Sequence, residues 1–425
     1  MTEASPPDDL SADRPSDSEE PGSGAAGERP ADRDPSRRRT FRIVLLILML
    51  GLGLVSAELL LRALTTDVYL QRRLRQGGLL VPFEPNTRCE LLQEEFRVRY
   101  DINRFGYRDR LDRTLERMPD KARVLLLGDS FSAGWGVEFK DCYGTIVEDR
   151  TGIEVVNAAK NGGCPLWFIA QARYAAPRFK PDLIIAQVFD NDIADVDRDA
   201  EDFKLENGRL GALPSELEPP TGLFGALDRG FDSLVLRRRW RNLRRRMKGR
   251  TIYREPYVRL GSHRDEPILD RAAILKKYEL DFSEPFDDWG GDFGWHDPEQ
   301  RPEWQRRFAV HEGLLRQLIK ECAEAGRELW LVYIPARQVY EGGREVAEIR
   351  AANPHYQLLS RLGAETETPL IDGTAVFGGL EDPTRAFFAR DGHLNALGHR
   401  TLAAALIREL KTRHGEWLKG ETSED

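Results

Sequence analysis

Residues 123–127 form a short apolar run that closes on Gly128-Asp129-Ser130. A serine placed just beyond a buried parallel strand stands where open α/β sheets bind their ligands. At the N-terminus of a following helix its own N–H is available to a developing oxyanion. The hydroxyl becomes a useful nucleophile only when a base takes its proton. Among seven histidines the best-placed base is His393, in Ala389-Arg390-Asp391-Gly392-His393-Leu394-Asn395. In an extended loop, residues two apart share a side. Asp391 can then hold the imidazole tautomer while the other ring nitrogen faces Ser130. The chemistry of such a set is nucleophilic attack on a carbonyl. Each piece alone has a plainer reading, a serine N-cap for the first and a turn for the second.

Attack on a carbonyl needs donors for the oxyanion. A second apolar run ends in Asn157-Ala158-Ala159-Lys160-Asn161-Gly162-Gly163, whose glycines let backbone approach a ligand closely. A third ends in Phe189-Asp190-Asn191-Asp192, where Asn191 offers a side-chain amide. The plainer readings are a turn and a helix cap. His399, on the last helix, reads as a packing or capping residue. No role is assigned to His263, His296, His311, His355 or His414.

The elements that must bring these residues together alternate strand with helix. Strands are predicted at 123–130, 153–159, 181–192, 327–336 and 368–373, an amphipathic helix at 308–326 and a closing helix at 396–411. This rhythm predicts a parallel sheet covered on both faces, in a domain spanning 122–412. It breaks between 195 and 301, read as an insertion over the top of the sheet. The insertion holds a basic block, 236–250, which suits either an anionic surface or a solvated, salt-bridged helix. An aromatic block, 286–304, follows. Its Trp289, Trp295 and Trp304 suit a sugar-stacking platform or the insertion's own core.

Upstream, residues 1–40 are too poor in large apolar side chains to offset ordering entropy and read as a disordered tail. Arg37-Arg38-Arg39 precedes the apolar run 41–61, long enough to span a bilayer, so 41–62 reads as a transmembrane anchor. The arginines place the N-terminus in the cytoplasm and the rest of the chain outside it, in the periplasm or at the cell surface. A cleaved signal peptide ending near Val55-Ser56-Ala57, or a buried core helix, are the competing readings. Residues 63–121 read as a juxtamembrane stalk carrying one strand, 96–102. Residues 413–425 read as a C-terminal tail. A net charge of −8 argues against nucleic acid as a partner. Four cysteines without a CxxC pair give no zinc pattern, and leave open whether they are thiols or disulfides. No cofactor or metal is expected.

Serine, glycine, asparagine and histidine in this order resemble the four blocks that name the SGNH, or GDSL, hydrolases. Here they read Gly-Asp-Ser-Phe-Ser (128–132), Asn-Ala-Ala-Lys-Asn-Gly (157–162), Asp-Asn-Asp (190–192) and Asp-Gly-His-Leu-Asn (391–395). Asn103-Arg104-Phe105-Gly106-Tyr107-Arg108-Asp109 also looks like the lead-in of membrane-anchored bacterial members. The resemblance implies a flavodoxin-like three-layer α/β/α sandwich. It implies Ser130 as nucleophile, His393 as general base and then acid, and Asp391 as its orienting partner. The oxyanion donors it implies are the Ser130 N–H, the Gly162 N–H and the Asn191 side chain, with Gly163 one residue away from Gly162. Two departures stand out. The last block is Asp-x-His rather than Asp-x-x-His, a form similar to alginate-type acetyltransferases, and Asp190 stands where glycine is common. The expected activity is hydrolysis of O-acyl, chiefly O-acetyl, esters on a cell-envelope or extracellular polysaccharide. The alternatives are an O-acetyltransferase on the same polymer, or a catalytically silent carbohydrate-binding protein.

Overall fold

The computed structural model describes residues 35–64, 71–76, 79–93, 95–200, 203, 205–211, 236, 240, 257–259 and 302–418. Helix Pro35–Leu64 contains a 24-residue stretch, Arg38–Leu61, that is long and apolar enough to cross a membrane. The insertion's aromatic Trp289 and Trp295, and most of its basic block, lie outside the described residues.

Five strands form the central sheet: β1 (Arg123–Leu127), β2 (Glu154–Asn157), β3 (Leu183–Phe189), β4 (Glu328–Ile334) and β5 (Leu370–Asp372). Their spatial order is β2-β1-β3-β4-β5, and every pairing is parallel. Strands β1, β2 and β3 are buried throughout, as expected where helices cover both faces. Alternate residues divide between two cores. Leu125, Leu127, Ile184 and Val188 pack with Phe168, Leu314 and Leu359 from helices Pro165–Tyr174, Pro302–Glu324 and Pro354–Thr366. Val124, Leu126 and Ile185 pack with Ile146 and Leu406 from helices Tyr143–Thr151 and Ala396–Arg413. This is a flavodoxin-like α/β/α sandwich. In this strand order the chain reverses direction between β1 and β3, which opens a crevice beyond their carboxyl ends.

Residues 63–121 do not form a separate stalk over their described length. Strands Arg88–Leu92 and Arg97–Asp101 pair antiparallel, and Tyr257–Arg259 from the insertion adds a third strand. One face of this small sheet, with Cys89, Leu91, Val98 and Tyr100, packs together with Phe83 and Phe96 on Ala133 and Ala159, just beyond β1 and β2. Tyr107 is buried in the main core against Phe179. The segment carries enough alternating apolar residues to cover the strand ends, so burial rather than linkage decides its place.

The Asn103–Asp109 motif gives this packing its geometry. Asn103 Oδ1 accepts the N–H groups of Phe105 (2.9 Å) and Tyr107 (3.1 Å), an Asx turn. Gly106 closes the turn at φ 74°, with the Phe83 carbonyl where a Cβ would sit. The turn delivers Arg108 into the interior. Its guanidinium donates to the carbonyls of Ala133 (3.0 Å), Gly134, Arg99 (2.9 Å) and Val137 (2.7 Å), and lies 4.0 Å over the Tyr100 ring. Next to it, buried Arg113 is paired with Asp109 (2.8 Å) and Glu148 (2.6 Å).

Two further expectations change. The C-terminal tail begins later than residue 413. The 3₁₀ turn Gly415–Leu418 folds back, with His414 stacked between Trp417 (3.9 Å) and Trp330 (5.7 Å). Trp304 is buried near the start of its helix, with Arg307 over its ring, so it offers no open stacking face. All four cysteines are buried free thiols.

Arg108→Lys removes the planar fork that serves four carbonyls at once, and an ammonium cannot replace it. Chemical denaturation should show a loss of about 3 kcal/mol, the scale of breaking a buried charge-assisted cluster. A loss within about 0.5 kcal/mol, typical of surface changes, would contradict this role for the cluster.

Candidate active site

The turn after β1 places Ser130 at the first position of the short helix Ser130–Ala133. Asp129 caps that helix, accepting the Phe131 N–H at 2.8 Å. From the neighbouring strand, Gln187 Oε1 accepts both the Asp129 N–H (3.1 Å) and the Ser132 hydroxyl (2.8 Å). The nucleophile turn is therefore tied to β3 as well as to β1.

His393 reaches Ser130 from the opposite end of the sequence. The loop before the final helix is drawn in by a bridge between Phe387 and Leu394, and Phe388 N–H donates to the His393 carbonyl at 2.8 Å. Asn395 then caps the helix through the N–H groups of Leu397 and Gly398. In this loop His393 Nε2 lies 2.7 Å from Ser130 Oγ, and Nδ1 lies 2.6 Å from Asp391 Oδ1. The other Asp391 oxygen accepts the Trp135 indole N–H at 3.0 Å. The imidazole packs on Phe131 (4.7 Å) and Trp135 (5.6 Å), which restrict its rotation. The structure thus brings Ser130, His393 and Asp391 into one continuous chain of hydrogen bonds, and the single residue Gly392 between Asp391 and His393 suffices for the Asp-x-His spacing.

The glycine block lies against the same turn. Lys160 N–H donates to the Gly128 carbonyl (3.1 Å), and Asn157 Nδ2 to the Ser132 carbonyl (2.8 Å). Gly163 is held to glycine by contact: an added Cβ would lie 2.4 Å from the Gly128 oxygen. Its N–H is committed to the Lys160 carbonyl at 2.7 Å. Gly162 precedes it at φ 62°. Asn191 sits at the cap position of helix Asp192–Asp199 but makes no side-chain cap bond, and its buried Oδ1 has no partner among the described residues.

Asp190 does not face this group. Its carboxylate accepts the Tyr333 hydroxyl (2.8 Å) and Ala336 N–H (3.3 Å), and lies 3.1 Å from His355 Nδ1. His355 in turn lies 3.0 Å from His311, whose imidazole burial and neighbouring His355 hold well below its ordinary range. These two histidines had no sequence signal; their meeting needs helices 302–324 and 354–366 side by side. His399 has the packing role expected of it. Its ring stacks on Tyr143, Nδ1 accepts the Tyr143 N–H at 3.2 Å, and burial pushes its pKa down to about 3. Sequence reading also missed Trp135, Gln187 and Glu95. Each is a single ordinary residue whose partner lies far along the chain.

Burial pushes the Asp129 carboxyl up to about 7, against the helix-cap bond from Phe131 and the neighbouring His393. Asp192, equally buried, is raised as well, with Asp129 and Asp195 adding to the effect. An unfolded aspartate titrates near ~4. Between about pH 4 and 7 folded Asp129 therefore keeps a proton the unfolded chain has released, and its contribution to stability falls as pH rises through that window. Asp129→Asn keeps the cap acceptor without the charge. Its melting temperature relative to wild type should rise steadily from pH 4.5 to 7.5. A difference that stays flat, or shrinks, would show that Asp129 is not held protonated.

No family model matches the chain, and no curated protein matches it. Solved structures do. A lipase/acylhydrolase from Enterococcus faecalis is similar over 71% of this chain and 100% of its own, at 13% identity and a TM-score of 0.36. A catalytic mutant of an acetylxylan esterase from Geobacillus stearothermophilus is similar over 72% of this chain and 100% of its own, at 16% identity and a TM-score of 0.36. A putative lipolytic protein of the G-D-S-L family from Desulfitobacterium hafniense is similar over 68% and 99%, at 11% identity and a TM-score of 0.35. The sheet order β2-β1-β3-β4-β5 with helices on both faces is a flavodoxin-like α/β/α fold, and the four sequence blocks that resemble those of SGNH hydrolases lie at its strand ends and in the final loop.

Proposed function

We propose that the chain is a serine-dependent ester hydrolase that removes O-acyl groups, in the first place O-acetyl groups, from a cell-envelope or extracellular polysaccharide. The observation that carries this reading is the Ser130–His393–Asp391 relay, with spacings of 2.7 and 2.6 Å, at the carboxyl end of β1. A hydroxyl bonded to an imidazole, itself oriented by a carboxylate, is an activated nucleophile.

In this mechanism Ser130 Oγ attacks the ester carbonyl while His393 Nε2 takes its proton. Asp391 keeps the Nδ1–H tautomer and stabilises the imidazolium that forms. The oxyanion is received by the Ser130 N–H, the Gly162 N–H and the Asn191 amide. The Gly163 N–H is already committed to the Lys160 carbonyl. His393 then returns the proton to the leaving sugar oxygen, and water, activated by the same imidazole, releases the acyl group. Asp190, which stands where glycine is common, is engaged by Tyr333 and His355. The polysaccharide assignment rests on the Asp-x-His form of the last block. It rests also on the apolar helix, read as an anchor with the N-terminus in the cytoplasm and the catalytic domain outside.

Turnover of an aryl acetate by the full chain tests the reading. Ser130→Ala should reduce kcat by a factor on the order of 10⁴ to 10⁶. Equal activity in both proteins would remove Ser130 as nucleophile, and no turnover by wild type would leave the silent binding protein. Acetyl found on added polymer instead of in water would make the chain a transferase. Asn191→Ala should raise the barrier by about 3 kcal/mol, and a change below about threefold in rate would take Asn191 out of the oxyanion site. A reporter fused after Arg62 should be active only outside the cytoplasm; activity inside would reverse the topology.

A further inference from the structure

The loop that carries Asp391 and His393 is gripped from outside by a single carboxylate. Glu95 lies in the turn between strands Arg88–Leu92 and Arg97–Asp101. Its Oε1 accepts the Ala389 N–H at 2.9 Å, and its Oε2 accepts those of Arg390 (3.0 Å) and Asp391 (2.7 Å). Three successive N–H groups turned to one point form a nest for an anion, here filled by the chain's own side chain. Charge-assisted bonds of this kind are roughly twice as strong as neutral ones.

The next residue holds the same region through contact. Phe96 packs edge-on to Trp135 (6.2 Å) and against Phe388 (4.9 Å). Trp135 is the residue that donates to Asp391 Oδ2. Glu95 and Phe96 therefore brace both the backbone of Asp391 and the indole that orients its carboxylate. The Asp-x-His spacing makes such a brace necessary. Asp391 and His393 are separated by Gly392 at φ 81°, in a loop with neither helix nor strand geometry of its own to fix a carboxylate. A catalytic group must be held within about 0.5 Å of its working position, and here that restraint comes from another part of the chain.

We propose that Glu95 is a positioning residue for the Ser130–His393–Asp391 relay and that it acts through Asp391. By fixing the backbone at 389–391 it sets the Asp391 carboxylate against His393 Nδ1. The segment that follows the apolar helix in sequence is thereby part of the working site. The kinetic consequence rests on the esterase reading above; the effect on the His393–Asp391 hydrogen bond does not.

The test uses the full chain in detergent micelles, as wild type, Glu95→Ala, Glu95→Gln, Asp391→Ala and the double variant Glu95→Ala/Asp391→Ala. The first readout is the low-field proton resonance of His393 Nδ1–H, identified by its loss in Asp391→Ala. It should broaden or move upfield in Glu95→Ala, and less far in Glu95→Gln, which keeps one acceptor oxygen. The second readout is aryl acetate turnover. Glu95→Ala should lower kcat about tenfold or more with KM within about twofold, as expected for lost orientation rather than lost binding. In the Asp391→Ala background the same substitution should change kcat by less than about twofold, since both changes remove one effect. A resonance unchanged by either Glu95 substitution overturns the proposal, and so does a loss in the double variant that equals the product of the single losses. If Glu95→Ala does not fold, Glu95→Gln carries both readouts. If wild type turns over no ester, the functional reading fails and the resonance alone decides the role of Glu95. If exchange hides the resonance in wild type, the kinetic coupling decides it.

Discussion

A hydroxyl and an imidazole 263 positions apart in sequence meet at 2.7 Å, and the rest of the molecule can be understood as what that contact requires. Ser130 needs a strand that ends where substrate can reach it, and β1 is the strand beside which the chain reverses direction. His393 needs a loop delivered to the same end, and the final helix, packed against the Tyr143–Thr151 helix, begins there. Neither side chain is long enough to make up an error of even one residue in register. The parallel sheet supplies that accuracy because each strand is locked to its neighbour by pairing, and β1, β2 and β3 are buried throughout.

Restraint then falls to buried polar groups, because the loops that hold the reacting side chains have little regular structure of their own. Gln187 ties the nucleophile turn to β3. Asp190 ties the start of the Asn191 loop to β4 and to His355. Arg108 gathers the carbonyls that follow the nucleophile helix. Each lies in a low-dielectric setting where a satisfied hydrogen bond is strong and an unsatisfied one is costly. The raised Asp129 carboxyl is the reverse of the same physics: one of its oxygens has no partner among the described residues, and the group keeps its proton instead.

Much of this was legible in the sequence, for reasons tied to particular residues. Strands β1, β3 and β4 appear as apolar runs because helices cover both their faces, and no polar alternation interrupts them. Gly-Asp-Ser and Asp-Gly-His stood out because each pairs a turn with a reactive side chain. His399 was correctly set aside. The segment 63–121 was misread because its strands are short and interrupted by Pro82 and Pro85, so that it resembled a linker. Its apolar positions find partners such as Ala133, Ala159, Phe179 and Phe388 far along the chain.

The sequence by itself determined the layered α/β architecture, the candidate nucleophile and its base, since apolar periodicity and turn chemistry are local properties of the chain. Tertiary structure alone decided what surrounds them. Trp135 on Asp391, Glu95 on three N–H groups, Gln187 on the nucleophile turn and His311 against His355 are each contacts between single residues separated by dozens to hundreds of positions. A lone glutamate or glutamine has no local pattern to reveal it. Its role exists only once folding has placed a donor within about 3 Å, the reach of a hydrogen bond.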